Sequence, residues 1–264
     1  MASARGPGAA VNLSPLTIPD RFNGPAGSAH GGWAAGQLAA RVLGVDEVGL
    51  GRAAQVTLRQ PLPLGSRQRV SPAADAGVVL TFGGAIIAEA TPVELDVAPV
   101  DPVCPGLATE AMTRYAGLIQ HPYPTCFACG TTRPDRDGLG LRPGPLPDRP
   151  GTTATMWVPD ASLVGPEDDT VTAAAVWAAL DCPGGWAVEI PGRPLLLGRI
   201  TAQVDALPRV GEHCVVMGAV LAREGRKVHS ATTAYDGDGR ALARATAIWI
   251  ETTARPGRDR RPSS

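Results

Sequence analysis

One carboxylate stands alone in an apolar stretch of the second half of the chain. Asp181 is the only acid between Val171 and Trp186. Burying a carboxylate costs free energy unless the group is paired or functional, and loss of water contact would raise its pKa toward that of a useful base. Asp181 is therefore the strongest candidate for a residue that moves a proton in a reaction. The alternative is a helix-terminal residue that caps the turn at Cys182-Pro183-Gly184.

A pair of glycines precedes a run of small apolar residues in the first half. Gly31 and Gly32 allow close backbone approach, and the first N–H groups of a helix have no acceptor within the helix. Such a helix start can stabilise a developing oxyanion, and removal of one oxyanion donor typically costs about 10²–10³ in rate. The alternative is that the two glycines only let the helix pack against a sheet.

Three further polar residues accompany these two features. Gln37 lies in the first-half helix at a place similar to that of Asp181 in the second-half helix. Its side chain is expected either to orient water or to be simply a buried amide. Thr172 precedes the second-half helix, where threonine is a preferred cap, and a hydroxyl that positions water is the second option. His30 is an acid–base residue by type, although a role in orienting the glycine loop is favoured.

The five cysteines do not look like a disulfide framework, because they are scattered and odd in number. Cys126 and Cys129 have the spacing of a metal knuckle, but a structural zinc site needs four ligands. His121 is a third candidate ligand, and no second Cys-x-x-Cys follows. A tight turn with buried thiols is therefore favoured over zinc, and neither a metal nor another cofactor is expected.

Composition argues against a disordered, nucleic-acid-binding or membrane protein. The 264 residues are 44% hydrophobic and 19% charged, enough for a buried core, and the net charge of −1 favours neither nucleic acid nor an anionic membrane as partner. Residues 1–12 lack the apolar segment of a secretory signal. The longest apolar run, Gly77 to Ala88, is shorter than the ~20 residues of a transmembrane helix. A soluble, cytoplasmic protein that binds neither nucleic acid nor membrane is predicted.

The two halves of the sequence resemble each other. A small-residue helix over Trp33 to Leu43 is followed by strands up to Leu95, and a helix over Ala173 to Asp181 by strands up to Glu251. Ala88-Glu-Ala-Thr91 and Ala243-Arg-Ala-Thr246 fall at matching places in the last strand of each half. Alternating hydrophobicity and Gly-bearing turns indicate antiparallel strands.

These observations predict an α+β fold. A lone helix rich in Ala and Gly, without a charged face, must be covered by a sheet on most sides, and a strongly curved antiparallel sheet around one central helix achieves this. The predicted organisation comprises a loop segment, a first repeat, a linker with a short helix over Leu107 to Leu118, a second repeat and a disordered tail, with bounds 1–20, 21–105, 106–150, 151–251 and 252–264.

The sequence resembles the hotdog-fold thioesterase superfamily, in which a long helix lies inside a curled antiparallel sheet. The resemblance rests on Ala29-His30-Gly31-Gly32-Trp33 and on Val176 to Trp186, and it covers roughly residues 20–100 and 120–251. Bacterial thioesterase-like proteins with Cys-Phe-x-Cys-Gly between the repeats, as at Cys126 to Gly130, also look similar. Two tandem copies imply a double hotdog.

The resemblance implies an acyl-CoA thioesterase, with CoA entering as part of the substrate and no further cofactor. Gly31, Gly32 and Trp33 would form the oxyanion and substrate-binding site, and Asp181 would be general base or nucleophile. Gln37, His30 or Thr172 would complete the catalytic set; Thr172 precedes Asp181 by the nine residues that separate histidine and acid in many such enzymes.

Several functions remain open on the same fold. A bulky acyl group of specialised metabolism is one expected substrate, and a non-catalytic acyl-CoA-binding protein is the alternative. A hydratase is disfavoured because no Asp-x-Asn-x-x-His pattern occurs, and an α/β-hydrolase because no Gly-x-Ser-x-Gly occurs. The cations considered for the CoA phosphates are Arg199, Arg223, Arg226 and Lys227. A homo-oligomer is possible.

Overall fold

The computed structural model describes residues 12–44, 50–164, 169–188 and 194–252. In these ranges it contains four α-helices and an antiparallel sheet of eleven strands. The helices are α1 (Gly31–Leu43), α2 (Pro105–Met112), α3 (Ala173–Ala179) and α4 (Cys182–Trp186). The strands are β1 (Leu16–Thr17), β2 (Ala53–Leu58), β3 (Arg67–Pro72), β4 (Val78–Phe82), β5 (Ala85–Val93), β6 (Gly144–Pro145), β7 (Thr152–Trp157), β8 (Leu195–Val204), β9 (Cys214–Glu224), β10 (Lys227–Tyr235) and β11 (Ala241–Glu251).

The strand order is symmetric about the centre of the sheet. Strand β2 pairs with β8, and from this seam the order runs β5, β4, β3, β1 on one side and β11, β10, β9, β7, β6 on the other. Thr91 pairs with Gln55, Gln55 with Thr201, and Thr201 with Thr246, so all four share one row across the seam. The two Ala-x-Ala-Thr motifs therefore occupy equivalent positions, as the sequence predicted.

Helix α1 begins two residues before its predicted start and lies in the hydrophobic core. Its small residues let it approach α3 closely: a Cβ on Gly36 would lie 2.8 Å from the Cα of Ala174. The other faces of α1 contact β2 and β5. Helix α1, which has no charged face, is thus covered by the sheet and by α3. Its apolar composition requires such cover.

The structure corrects three element predictions. Each half has a strand before its helix, β1 in the first and β7 in the second, whereas the sequence predicted that each half begins with the helix. Strand β1 lies in the segment predicted to be a loop and pairs with β3. The linker helix ends at Met112, and a separate 3-10 turn spans Ala116–Leu118. After the turn, Gly117 packs tightly over the Tyr115 ring: a Cβ on Gly117 would lie 2.4 Å from Tyr115 Cζ.

The third correction concerns the second-half helix, which ends at Ala179 rather than at Asp181 and resumes as α4. The predicted disordered tail lies, from residue 253 onward, outside the described residues. Among the described helices, none is long and apolar enough to cross a membrane.

Candidate functional site

Asp181 lies in the break between α3 and α4. Pro183 lacks an N–H and its ring clashes with the carbonyl four residues earlier, which belongs to Ala179, so α3 cannot continue through it. The chain instead turns at Leu180 and Asp181, and Asp181 takes the N-cap position of α4. Its side chain makes no capping bond there. The break therefore turns the carboxylate away from its own helix.

The carboxylate is held by the start of α1. Gly32 N–H donates to Asp181 Oδ2 at 2.7 Å, and His30 Nε2 lies 3.4 Å from the same oxygen. Asp181 is 3% exposed, and its Oδ1 has no hydrogen-bond partner among the described residues. Burial raises the pKa of Asp181 to about 6, although the charge of His30 and the Gly32 N–H act in the opposite direction.

The two glycines at the start of α1 have different roles. A Cβ on Gly32 would lie 2.6 Å from both Asp181 Cβ and Trp177 O, so Gly32 permits contact between two helices, and its N–H is already bonded to the carboxylate. Gly31 packs against Leu197 and Leu58 of the sheet. Among the described residues, its N–H has no acceptor, which leaves it as the amide that can serve a ligand.

A cavity of about 420 Å³ opens beside these groups. It lies where the two halves meet: His30 and Gly31 come from the first half, Asp181 and Trp249 from the second. Its lining is mostly apolar, with Leu58, Leu62, Leu195, Leu196, Leu197 and Trp186 among the lining residues. The site thus combines an apolar chamber with one buried carboxylate and one unbonded backbone amide.

His30 acts as the cap of α1. Its Nδ1 accepts from Trp33 N at 3.2 Å, and its ring is 2% exposed. This bond fixes the turn that presents the N–H groups of Gly31 and Gly32, as expected for a residue that orients the glycine loop.

The structure does not bring the other predicted site residues to the cavity. Thr172 is exposed, and its Oγ1 accepts from Ala175 N at 3.4 Å as the cap of α3. Gln37 is half-buried and does not line the cavity. Trp33 stacks on Phe22 with ring centroids 3.9 Å apart, which gives it a place in the core. The catalytic roles predicted for Gln37 and Thr172 therefore have no geometric support beyond their sequence positions.

The cations predicted for phosphate binding are also off the cavity. Arg199 donates to Thr57 Oγ1, and Arg226 to the carbonyl of Glu251. Arg59, which the sequence analysis did not single out, lines the cavity and pairs with Glu89 at 2.6 Å. A charged group carried by a ligand would meet Arg59 at the cavity wall.

Three thiols that the sequence did not bring together lie side by side and are called here the sulfur cluster: Cys126, Cys129 and Cys182. Cys126 Sγ lies 3.6 Å from Cys129 Sγ and 3.9 Å from Cys182 Sγ. Hydrogen bonds from Cys129 and Cys182 hold the pKa of the Cys126 thiol well below its ordinary value. Cys182 follows Asp181 directly, yet no spacing rule connects it to a turn more than fifty residues earlier.

Known proteins similar to this chain are found by comparing structures but not by comparing sequences. No protein-family model matches the chain, and no curated protein matches its sequence. Among solved structures, the tesB protein of Mycobacterium avium subspecies paratuberculosis is 13% identical with a TM-score of 0.58, over 90% of this chain and 91% of that one. Acyl-CoA thioesterase II TesB2 of Mycobacterium marinum is 11% identical with a TM-score of 0.54, over 86% and 91%.

A third similar structure is described by its fold. It is a conserved protein of unknown function with a hot dog fold from Alicyclobacillus acidocaldarius, 13% identical with a TM-score of 0.51, over 93% of this chain and 97% of that one. The resemblance noted in the sequence is therefore confirmed at the level of architecture: this chain has the hotdog fold that it shares with TesB-like thioesterases.

Proposed function

We propose that the chain is a tandem double hotdog that hydrolyses an acyl thioester, with acyl-CoA as the substrate class. The observation that carries the proposal is the contact between Gly32 N–H and Asp181 Oδ2 at 2.7 Å, which joins the start of the first-half helix to the lone acid in the break of the second-half helix. The second carboxylate oxygen has no partner among the described residues. A buried, half-bonded carboxylate beside a cavity is costly to keep for packing alone.

In the proposed reaction the acyl group lies in the apolar cavity and its carbonyl oxygen accepts the N–H of Gly31. Asp181 takes a proton from water as the water oxygen attacks the carbonyl carbon, or its carboxylate attacks directly and water then hydrolyses the anhydride. The carbon–sulfur bond breaks, the thiolate takes up a proton, and a carboxylic acid and a free thiol are released. Gly32 N–H orients the carboxylate throughout.

The cavity supports an apolar acyl group as the part of the substrate that is recognised. Its walls are mostly apolar and include several leucine and tryptophan side chains, and its volume of about 420 Å³ accommodates a bulky group. Binding there gains roughly 25 cal/mol for each Å² of apolar surface removed from water. We propose a bulky apolar acyl group, as in specialised metabolism, ahead of acetyl.

The test is release of free thiol from a panel of acyl-CoA compounds of increasing acyl size. Asp181→Asn keeps an oxygen acceptor for Gly32 N–H but cannot take a proton, so we expect hydrolysis to fall by about 10²–10⁴. The matched control is Asp148→Asn, which changes an exposed acid in the linker and should leave the rate unchanged. Equal rates for wild type and Asp181→Asn would remove Asp181 from the mechanism.

The alternative function is acyl-CoA binding without turnover. It is favoured by one feature of the site: Gly32, one of the two predicted oxyanion donors, already bonds Asp181. Calorimetry on the same panel separates the two functions, because tight binding by wild type with no thiol release would support the binding protein and contradict the hydrolase.

A further inference from the structure

The sulfur cluster has no part in the proposed hydrolysis. Cys126, Cys129 and Cys182 are between 4% and 8% exposed, and all three line the cavity. His30 Nε2 lies 3.4 Å from Cys182 Sγ, and the side chains of His30, Cys126 and Cys182 offer ligand atoms within 4.8 Å of one another. Three groups with metal-binding atoms thus converge from the linker, the start of α1 and the start of α4. Cys129 lies outside this group of three, with its Sγ 3.6 Å from Cys126 Sγ.

The spacing of these atoms matches the edges of a zinc tetrahedron. With Zn–S near 2.3 Å, two sulfur ligands lie about 3.8 Å apart, and with Zn–N near 2.0–2.1 Å a sulfur and a nitrogen lie about 3.6 Å apart. The sulfur–sulfur distances are 3.6 Å and 3.9 Å, and the nitrogen–sulfur distance at Cys182 is 3.4 Å. Three of the six edges of such a tetrahedron thus agree with the expected length to within a few tenths of an ångström. Cys129 Sγ lies outside the group of atoms within 4.8 Å of one another, so it would move toward the other three ligands when an ion binds.

Disulfide formation does not account for the arrangement. A disulfide requires its two sulfurs about 2.05 Å apart, and the three cysteines are free. Cys126 is close to two other sulfurs at once and could bond to only one of them. A metal ion, in contrast, can bind more than two sulfurs at once.

The surroundings of the sulfurs are those of thiolate ligands. Trp186 Nε1 donates to Cys129 Sγ at 3.4 Å, and such outer hydrogen bonds stabilise the negative charge of ligands. Gly130 N donates to the carbonyl of Cys126 at 2.8 Å, which closes the Cys-x-x-Cys turn, and a Cβ on Gly130 would lie 2.5 Å from that oxygen. Only glycine fits this position without movement of the turn.

We propose that Cys126, Cys129, Cys182 and His30 bind one thiophilic divalent cation, of which zinc is the representative. The ion would be structural: four protein ligands leave no open position. It would join the linker to both halves at the edge of the cavity and hold α4 next to the start of α1. This differs from the sequence prediction of a tight turn with buried thiols and no metal.

Coordination requires one proton to move on His30. Its Nδ1 accepts the Trp33 N–H, which places the proton of a neutral ring on Nε2. A metal ion on Nε2 would shift that proton to Nδ1 and displace the Trp33 bond. His121 is the second candidate for the nitrogen ligand, because its Nε2 lies 3.5 Å from Cys129 Sγ. We favour His30, because His121 Nε2 already bonds the carbonyl of Cys129 at 3.0 Å and His30 belongs to the group of three close ligand atoms.

The first experiment measures metal in the full chain, purified under reducing conditions. We expect about one zinc per chain by mass spectrometry of the elements. Cobalt(II) added to zinc-depleted protein should give thiolate-to-metal charge-transfer bands that saturate at about one equivalent. The proposal is overturned if the wild type neither carries nor takes up zinc, or if it binds cobalt without charge-transfer bands. This measurement does not depend on any variant.

The second experiment assigns the ligands. Cys126→Ser and Cys182→Ser should each weaken zinc binding by more than the roughly 10–100-fold typical of losing a group that only hydrogen-bonds a ligand. Cys104→Ser and Cys214→Ser, outside the cluster, should bind as wild type does. Full binding by Cys182→Ser would contradict the proposal, and unchanged affinity in His30→Ala would exclude His30 as fourth ligand. Circular dichroism on each variant identifies a loss of binding caused by unfolding.

Discussion

The two halves of the sheet have the same strand order, but their helices differ. In the first half α1 runs unbroken over 13 residues from a histidine cap. In the second half the helix stops at Ala179 and resumes at Cys182. In the proposed function the unbroken helix supplies backbone N–H groups, and the broken one supplies a carboxylate. The difference teaches that two halves with matching strand order need not contribute the same groups to a site.

Pro183 explains why the second-half helix breaks at its acid, whereas α1 contains no acid at all. A proline within a helix removes one hydrogen bond and forces the chain away from the carbonyl four residues earlier. Helix α1 contains no proline, so none of its side chains is turned out of the helix in the same way. The asymmetry is therefore a local property of residues 180–183 and not a consequence of the sheet.

The largest effect is expected when α1 is forced away from α3 and Asp181 at their contact. In Gly32→Ala the new Cβ would lie 2.6 Å from Asp181 Cβ and from the carbonyl of Trp177. Neither atom is the flexible end of a side chain, so the helices must shift. We expect a loss of about 1–3 kcal/mol in the free energy of unfolding, measured by urea denaturation.

Hydrolysis should fall in the same variant, because displacement of a catalytic group by about 1 Å can cost 10² in rate. Gly106→Ala is the matched control, since a Cβ on Gly106 meets no atom within 4 Å. A Gly32→Ala protein as stable and as active as wild type would show that the contact between the halves is not needed.

A smaller effect is expected at the start of α3. Thr172→Ala removes the hydroxyl that accepts from Ala175 N at 3.4 Å, and loss of a threonine cap costs about 0.5–2 kcal/mol. Urea denaturation should detect this loss, while thiol release by the folded variant should match that of wild type. A strong fall in rate with intact stability would instead support the predicted water-positioning role of Thr172.

The smallest effect is expected at Gln37. By sequence, this residue corresponds in α1 to Asp181 in the second half. Because Gln37 does not line the cavity, Gln37→Ala should change thiol release far less than the factor of about 10²–10⁴ expected for loss of an acid–base group. Rates measured beside those of Asp181→Asn make the comparison direct. Similar losses in both variants would indicate two working sites instead of one.

Much of the fold could be predicted because its signals are local. Alternating side chains, the Gly83-Gly84 turn and the repeated Ala-x-Ala-Thr motif are each contained within about ten residues, and the sheet pairs them as expected. The strands before the helices were missed because β1 has only two residues and β7 lies next to the turn-rich linker. Short strands carry too little alternation to be recognised.

The site was only partly predictable for a related reason. Asp181 stood out because a lone acid in an apolar run is unusual, and Gly31 and Gly32 because of their position before a helix. The membership of Cys182 in the sulfur cluster depends on a fold that brings it 3.9 Å from Cys126, which no local pattern records. Thr172 and Gln37 were placed by counting along helices, and counting gives no information on which side of a broken helix faces a cavity.

The pairing of β2 with β8 determines which strands lie at the edges of the sheet, where the backbone of another chain could add a strand. Because the two inner strands pair with each other, the described sheet ends only at β1 and β6, each two residues long. Pro145 of β6 has no N–H to offer an incoming strand. Beyond them, the open edge of the described sheet is the uncovered remainder of β3 and β7, a few residues in each strand. So short an edge limits edge-to-edge aggregation of a large sheet.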